Sequence, residues 1–237
     1  MFSNLKILNY MNVYDYEALK DGLNLNENYV WINELEKHYL NNIIKTLNLK
    51  YVLDAGCGRG FKFDVLKKNN INFIGIDYSF YALKIAKIKH EKLVRGSILK
   101  LPFKDNFFDL VFSIQTISLM DSFENCYNAF REIVRVSKKY IIISEYKLGG
   151  IIKERYKPVI KENEIVLHRF SFKEDDYITW ANQLNLKIIK IGTILNIKPK
   201  GIGKFHFLKS FYLNLDYLMF KLNYKSGKYL LGIFEKL

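Results

Sequence analysis

Short apolar segments alternate with segments of helical periodicity along most of this chain. In the first 50 residues, apolar side chains recur every three or four positions with Glu and Lys between them, which predicts helix. From residue 51 onward, apolar runs of about five residues are separated by amphipathic stretches. The predicted strands are 51–55, 73–77, 93–96, 108–113, 140–145, 186–194 and 228–236, and the predicted helices lie near 61–69, 79–89, 123–136 and 171–184.

Strands with continuous apolar content that alternate with helices are typical of a parallel sheet covered on both faces. We therefore predict an α/β fold with a helical cap over residues 1–50, a core over 51–194, and a helical insert with the final strand over 195–237. Ser171 and Glu174 fit a capping box at the start of the last core helix. Residues 147–168 follow neither periodicity and receive no element.

Composition excludes a disordered or low-complexity chain, because 49% of the 237 residues are hydrophobic and 26% are charged. The net charge of +13 is uneven along the sequence. Residues 187–228 contain nine Lys and one acidic residue, Asp216. This basic segment, which includes most of the insert, has three interpretations. It is a lid helix with Lys on its solvent-exposed face, a wall for a lipid-like acceptor or peripheral membrane contact, or an RNA-binding surface. Only six Arg occur in the chain, which disfavours nucleic acid.

Cysteine content and hydropathy indicate the cellular compartment in which the protein is expected. Cys57 and Cys126 cannot form a disulfide framework, and no Cys/His spacing predicts a metal site. No stretch reaches the roughly 18–20 apolar residues of a membrane span. The first residues lack the pattern of a secretory signal, so we expect a cytoplasmic protein.

A glycine-rich loop follows the first predicted strand and carries the main functional signal. Its sequence is Asp54-Ala55-Gly56-Cys57-Gly58-Arg59-Gly60. In an open parallel sheet, ligands bind beyond the carboxyl ends of the strands, where glycines let the ligand approach the backbone. A dinucleotide loop requires G-x-G-x-x-G, whereas this loop has G-x-G-x-G preceded by a carboxylate. That carboxylate suits a ligand with an ammonium group better than a pyrophosphate.

The pattern D-x-G-x-G-x-G resembles the signature of class I S-adenosylmethionine-dependent methyltransferases of the small-molecule branch. Asp77 ends the second strand, where the family holds its ribose. Residues 95–111 resemble the family's G-D-x-x-x-L-P-F…F-D-x-V stretch, and residues 130–136 resemble the helix that follows. The resemblance implies a Rossmann-like, seven-stranded, mostly parallel sheet, with S-adenosylmethionine as cofactor and methyl transfer by in-line displacement as the activity.

The same resemblance implies which residues contact the cofactor. They are Asp54, Gly56 and Gly58 at the methionine end, Asp77 at the ribose, Tyr78 beside the adenine, Ser97 and Ile98 along the adenine edge, and Ser113 and Gln115 near the sulfonium and the acceptor. The family usually has Asp where this chain has Ser97, and a hydroxyl accepts hydrogen bonds more weakly than a carboxylate.

No catalytic residue is assigned, because methyl transfer depends mainly on alignment and on exclusion of water. The candidates for a proton acceptor or pocket wall are His168, His206, Tyr14, Tyr29, Glu145 and Tyr146. For the tyrosines the alternative is simple packing, and for Glu145 it is a solvated strand end. His38 and His90 are interpreted as packing or surface residues.

The residues at the end of the fourth strand disfavour nucleic-acid bases as the methyl acceptor. The strand ends Phe112-Ser113-Ile114-Gln115 and lacks the N-P-P-Y or D-P-P-Y turn of enzymes that methylate base amino groups. Neither Cys57 nor Cys126 is placed for nucleophilic attack on cytosine. We therefore favour a small-molecule acceptor methylated at oxygen, nitrogen or carbon. An RNA methyltransferase and a non-catalytic, methyltransferase-like binding subunit are the alternatives.

Overall fold

A computed structural model describes residues 27–88, 90, 92–149, 154–161, 164–197 and 208–237, with side chains outside 27–29 and 157–168. In these ranges the helices are α1 Glu27–Ile44, α2 Phe63–Lys68, α3 Phe80–Ala86, α4 Phe123–Val136, α5 Glu174–Gln183 and α6 Lys209–Lys221. The strands are β1 Tyr51–Ala55, β2 Asn72–Asp77, β3 Leu93–Arg95, β4 Phe108–Ile114, β5 Ser137–Tyr146, β6 Tyr156–Lys161, β7 Glu164–Phe170, β8 Leu186–Ile194 and β9 Tyr229–Lys236.

Seven strands form one open sheet in the order β3-β2-β1-β4-β5-β9-β8. The first five in this order are parallel, and β9 runs antiparallel to both β5 and β8. The prediction of a seven-stranded, mostly parallel sheet is confirmed. Strand order reverses between β1 and β4, and in such sheets the crevice at the carboxyl ends of the strands on either side of this reversal is where ligands bind.

Helices cover both faces of the sheet, as predicted, and each face has its own hydrophobic core. One core includes Phe130 of α4 and Trp180 of α5, and the other includes Tyr39 of α1 and Phe220 of α6. The alternation is visible within β1, whose successive residues Val52 and Leu53 are fully buried in opposite cores. The boundaries at residues 50 and 194 stay a prediction, since α1 shares a core with the sheet.

The unassigned segment 147–168 contains an antiparallel hairpin, β6–β7, which forms a separate two-stranded sheet. Its first strand has the sequence Tyr-Lys-Pro-Val-Ile-Lys. Pro and Lys interrupt the alternation of apolar and polar residues that would predict a strand. Tertiary packing holds the end of the hairpin: the ring of Phe170 lies 6.1 Å from that of Phe123 on α4. Sequence periodicity missed the hairpin because this packing is not local.

The predicted capping box at Ser171 and Glu174 is wrong by two residues. Helix α5 begins at Glu174, and the backbone N–H of Lys173 donates to Asp176 Oδ2 at 2.7 Å. Phe172 is fully buried and forms a bridge with Lys147, so the backbone remains extended past Ser171. The capping arrangement is therefore made by the next residues with suitable side chains.

The described helix of the insert, α6, packs against α1 and β8. The Tyr39 hydroxyl donates to the backbone oxygen of Asp216 at 2.8 Å or to its Oδ1 at 2.7 Å, and Lys209 pairs with Glu34 at 2.6 Å. Asp216, the single acidic residue of 187–228, is fully buried and also accepts from the Ile197 N–H. No helix in the described ranges combines the length and apolar character needed to cross a membrane.

We expect Tyr39→Phe to lower the free energy of unfolding by about 1–3 kcal/mol, because it removes a hydrogen bond to a buried carboxylate. Urea unfolding measures this loss. Tyr217→Phe is the matched control on α6, since the Tyr217 hydroxyl makes no hydrogen bond in the described structure. It should change the same quantity by less than about 0.5 kcal/mol. Equal losses in the two variants would contradict this role for Tyr39.

Candidate active site

Three glycines of the loop after β1 have left-handed backbone conformations. The φ angles of Gly56, Gly58 and Gly60 are 85°, 50° and 70°. The N–H groups of Gly56 and Cys57 donate to the carbonyl oxygen of Ile76 at 2.8 and 3.0 Å, which fixes the loop against β2. Because only glycine adopts such conformations without steric cost, the G-x-G-x-G spacing determines the path of the loop.

Gly56 and Gly58 have different surroundings. A Cβ atom on Gly56 would lie 2.2 Å from Thr116 Oγ1, in the turn after β4. A Cβ atom on Gly58 would meet nothing within 4 Å. Gly56 is therefore required by close packing inside the protein, whereas Gly58 borders open space above the loop.

Asp54 supplies an unpartnered carboxylate beneath this loop. The side chain is 3% exposed, and its Oδ2 atom has no hydrogen-bond partner among the described residues. Burial raises the pKa of Asp54 to about 8; the charge of Lys62 partly opposes this shift and that of Asp77 adds to it. A buried oxygen without a donor carries a free-energy penalty that a cationic ligand would relieve.

Asp77 connects the end of β2 to the glycine loop. Its Oδ2 accepts from the Gly58 N–H at 2.8 Å, and its Oδ1 accepts from the Ser79 N–H at 2.9 Å. Ser79 caps α3 through its hydroxyl, so Asp77 is not the capping residue of that helix. The neighbouring Tyr78 side chain is 46% exposed. A carboxylate and an exposed aromatic ring thus lie together at the carboxyl end of β2.

Ser97 and Ile98 lie in the turn after β3. The Ser97 hydroxyl accepts from the Leu99 N–H at 3.2 Å, which shapes the turn. Ile98 is buried in the core that also contains Leu101, so its side chain faces the protein interior. Contacts from Ile98 to a ligand would therefore come from its backbone.

The end of β4 is held by polar contacts that the sequence analysis missed. Gln115 has a φ of 56°, and its side-chain amide donates to Glu36 Oε1 of α1. Glu36 also pairs with Lys62 at 2.7 Å, and Lys62 donates to Asn33 Oδ1 at 2.9 Å. Asn33, Glu36 and Lys62 are all buried. The available signal was two polar residues, Asn33 and Glu36, on the apolar face of an amphipathic helix.

Ser113 and Glu145 are both buried in the sheet. The Ser113 hydroxyl has no hydrogen-bond partner among the described residues. Glu145 Oε1 accepts from the N–H groups of Thr116 and Ile117 at 3.0 and 2.8 Å. Burial raises the pKa of Glu145 to about 7, against the effect of these donors. The solvated strand end considered for Glu145 is wrong, and the residue instead anchors the turn that packs on Gly56.

The remaining candidates, which are tyrosines and histidines, fall into two groups: residues outside the described structure and residues packed against other rings. Tyr14 and His206, and the side chains of Tyr29 and His168, lie outside the described residues. His90 stacks on Phe73 with ring centroids 3.8 Å apart, and His38 lies edge-on to Tyr217 at 5.9 Å, so both are packing residues as predicted. The ring of Tyr146 packs against that of Tyr229 in a tilted arrangement, with centroids 4.8 Å apart. The described residues contain no group of three or more His, Cys, Asp and Glu side chains suited to a metal.

Known protein families were compared with this chain, and one of them matches the segment that contains the glycine loop and Asp77. Residues 53–142 match the family described as a methyltransferase domain. The chain contains a class I S-adenosylmethionine-dependent methyltransferase domain. The match covers β1 to β5, including the glycine loop, Asp77 and the turn after β4. S-adenosylmethionine is the cofactor of this family, as the resemblance implied.

Individual relatives share this domain and not the whole chain. An uncharacterised protein of Methanocaldococcus jannaschii is 38% identical over 103 residues, which are 44% of each chain. A malonyl-[acyl-carrier protein] O-methyltransferase of Hamiltonella defensa is 30% identical over 143 residues, which are 58% of this chain and 54% of that protein. The alignments thus span about half the length of these relatives.

The methyltransferase domain also has close structural neighbours. The crystal structure of magnesium protoporphyrin IX methyltransferase from Synechocystis, with bound S-adenosylhomocysteine, superposes with a TM-score of 0.65 at 11% identity. The superposition covers 96% of this chain and 98% of that one. At this identity the likeness establishes the fold alone.

The methyltransferase domain requires glycine at 56 more strictly than at 58. We expect Gly56→Ala to lower the free energy of unfolding by roughly 3 kcal/mol or more, because its methyl group overlaps Thr116 and the conformation is left-handed. Gly58→Ala carries only the backbone strain, about 1–2 kcal/mol. Urea unfolding of both variants measures the difference. Equal stabilities would contradict the close contact with Thr116.

Glu145 makes stability depend on pH. Its pKa is raised in the folded protein, so the folded state binds more protons than the unfolded state between the ordinary Glu pKa and about 7, and stability falls as pH rises through this window. Glu145→Gln keeps an oxygen that accepts from Thr116 and Ile117 but does not titrate. From pH 5 to pH 8 the wild type should lose roughly 2 kcal/mol more unfolding free energy than the variant, measured by urea titration. Parallel losses would exclude this effect.

Proposed function

We propose that this protein transfers a methyl group from S-adenosylmethionine to a small-molecule acceptor by in-line displacement. The observation that carries the proposal is the group at the carboxyl ends of β1 and β2. It combines the open face of Gly58, the Asp77 carboxylate and the buried Asp54 carboxylate, whose Oδ2 has no hydrogen-bond partner among the described residues. The family of the domain supports the same activity.

The described residues fit this cofactor chemically. Asp54, Gly56 and Gly58 would hold the methionine end, with the buried carboxylate facing its ammonium group. Asp77 would accept hydrogen bonds from the ribose hydroxyls, with the exposed ring of Tyr78 beside the adenine. When bound, the cofactor supplies a methyl group on a positively charged sulfur. The remaining assignments are Ser97 and Ile98 along the adenine edge, and Ser113 and Gln115 on the sulfonium and acceptor side.

The task left to the protein is to align the acceptor and to exclude water. Gln115 suits this role because Glu36 fixes its side chain and Ser144 accepts from its N–H at 2.7 Å. Glu36 belongs to α1, so the same contact holds α1 near the end of β4. Glu145 acts as a positioning residue, since its Oε1 is occupied by two backbone donors.

A small acceptor is favoured over RNA. One of the similar proteins is named for a non-nucleic-acid acceptor, a malonyl group on a carrier protein. The lysines of the insert have structural explanations at two positions: Lys209 pairs with Glu34, and Lys225 pairs with Glu174 at 2.9 Å. Part of the basic charge is therefore used within the protein.

Isothermal titration with S-adenosylmethionine tests the cofactor site. We expect Asp77→Ala to weaken binding at least tenfold, about 1.4 kcal/mol, because it removes the acceptor proposed for the ribose and the bond to Gly58. Asp64→Ala removes an exposed carboxylate of α2 and should stay within twofold of wild type.

No binding by the wild type at millimolar cofactor, or full binding by Asp77→Ala, would refute the proposal. Methyl incorporation from labelled cofactor into RNA, and none into a low-mass extract, would instead favour the RNA alternative. Nucleic acid that copurifies and is released by salt would point the same way.

A further inference from the structure

We propose that Arg169 binds a carboxylate group of the methyl acceptor beside the end of β5. The inference rests on the proposed function, because it identifies the acceptor side of the same site. Five observations support it: the surroundings of Arg169, a contrast with Arg155, the position of Arg169 relative to Gln115, the spacing of the strands, and the charges nearby.

Arg169 is a partly buried arginine that has no acidic partner among the described residues. Its guanidinium carbon lies 4.5 Å from the centroid of the Tyr146 ring. Its Nε atom is buried and makes no hydrogen bond, and no described carboxylate forms an ion pair with it. An arginine remains charged under all ordinary conditions, so burial of an unbonded N–H is a cost that an anionic ligand removes.

Arg155 provides an internal comparison. It precedes β6 in the same hairpin region, and its guanidinium lies 4.6 Å from the Phe123 ring. Arg155 pairs with Asp176 Oδ2 at 2.8 Å. The two arginines thus both lie over an aromatic ring, but of the two only Arg155 has an acidic partner in the part of the chain that the structure describes.

The position of Arg169 connects it to the acceptor side of the site. Tyr146 is opposite Tyr229 in the β5–β9 ladder. Burial raises the pKa of Tyr229, the hydroxyl of Tyr146 and the charge of Glu36 add to the shift, and Arg169 opposes it. Arg169 lies against the ring of Tyr146, which contacts that of Tyr229 at 4.8 Å. Glu36, whose charge also acts on Tyr229, is the residue that holds Gln115.

Strand spacing separates this site from the methionine end of the cofactor. Tyr146 lies on β5, which is two strands from β1 and Asp54 in the sheet order. Neighbouring strands are about 4.8 Å apart, so the two strands are separated by about 10 Å. This separation favours the acceptor over the methionine end of the cofactor as the source of the carboxylate.

The surrounding charges also favour an anion. Lys228 Nζ lies 5.8 Å from the centroid of the Tyr146 ring and 5.7 Å from that of Tyr229, which adds a second cation. Of the two acids nearby, Glu36 pairs with Lys62, and Oε1 of Glu145 accepts from backbone N–H groups. The Nε–H and adjacent Nη–H of a guanidinium form parallel donors that match the two oxygens of a carboxylate.

Ligand-observed NMR with matched acids and amides tests the proposal. The probes are hexanoate, benzoate and indole-3-acetate with their primary amides, titrated with saturating S-adenosylhomocysteine and again without it. We expect the wild type to bind at least one acid at least tenfold more tightly than its amide. Arg169→Gln should abolish this preference, and Arg169→Lys should retain part of it because it keeps the charge without the parallel donors. Arg155→Gln should retain all of it.

The outcomes separate the two proposals. Absence of any acid preference in the wild type, or an acid preference that survives Arg169→Gln, overturns the assignment of Arg169. A loss of S-adenosylhomocysteine affinity in Arg169→Gln also overturns it, because the carboxylate would then be that of the cofactor. If the wild type does not bind S-adenosylhomocysteine, the proposed function fails, while the titrations without it still test Arg169.

Discussion

The Glu145 carboxylate holds the turn after β4, and the shape of the glycine loop depends on that turn. Glu145 accepts from Thr116 and Ile117, and Thr116 occupies the space that a side chain on Gly56 would need. Gly56 in turn donates to Ile76 of β2. One buried carboxylate on β5 thereby holds the ends of three further strands, β4, β1 and β2, in one arrangement. The ionised form of that carboxylate is costly when buried, and its backbone donors offset part of the cost.

A second set of buried polar contacts joins the N-terminal helix to the same edge of the sheet. Glu36 of α1 contacts both Lys62 after the glycine loop and Gln115 after β4. Breaking one partner of such a buried pair leaves an uncompensated charge, so these contacts specify where α1 lies even if their net stabilisation is small. Tyr39 and Asp216 extend the connection to α6.

The basic residues behind the net charge of +13 have different surroundings in the structure. Two lysines of the insert, Lys209 and Lys225, pair with acids at the surface, where such pairs contribute little to stability. Arg155 is paired with an acid, whereas Arg169 has no acidic partner among the described residues. The proposed recognition of the acceptor therefore depends on one partly buried guanidinium and not on the number of lysines.

The sequence by itself determined the parallel sheet, the glycine loop and the position of Asp77 at the end of β2. These signals are local, because apolar periodicity reports strands and helices, and glycine spacing reports left-handed conformations at 56, 58 and 60. Only the tertiary structure decided the contact between Glu36 and Gln115, the burial of Glu145 and the stacking of Arg169 on Tyr146. Each of these joins residues from different elements, and their partners are 79, 28 and 23 positions away in the chain. No local pattern encodes such pairs, since burial and charge compensation depend on which elements the fold brings together.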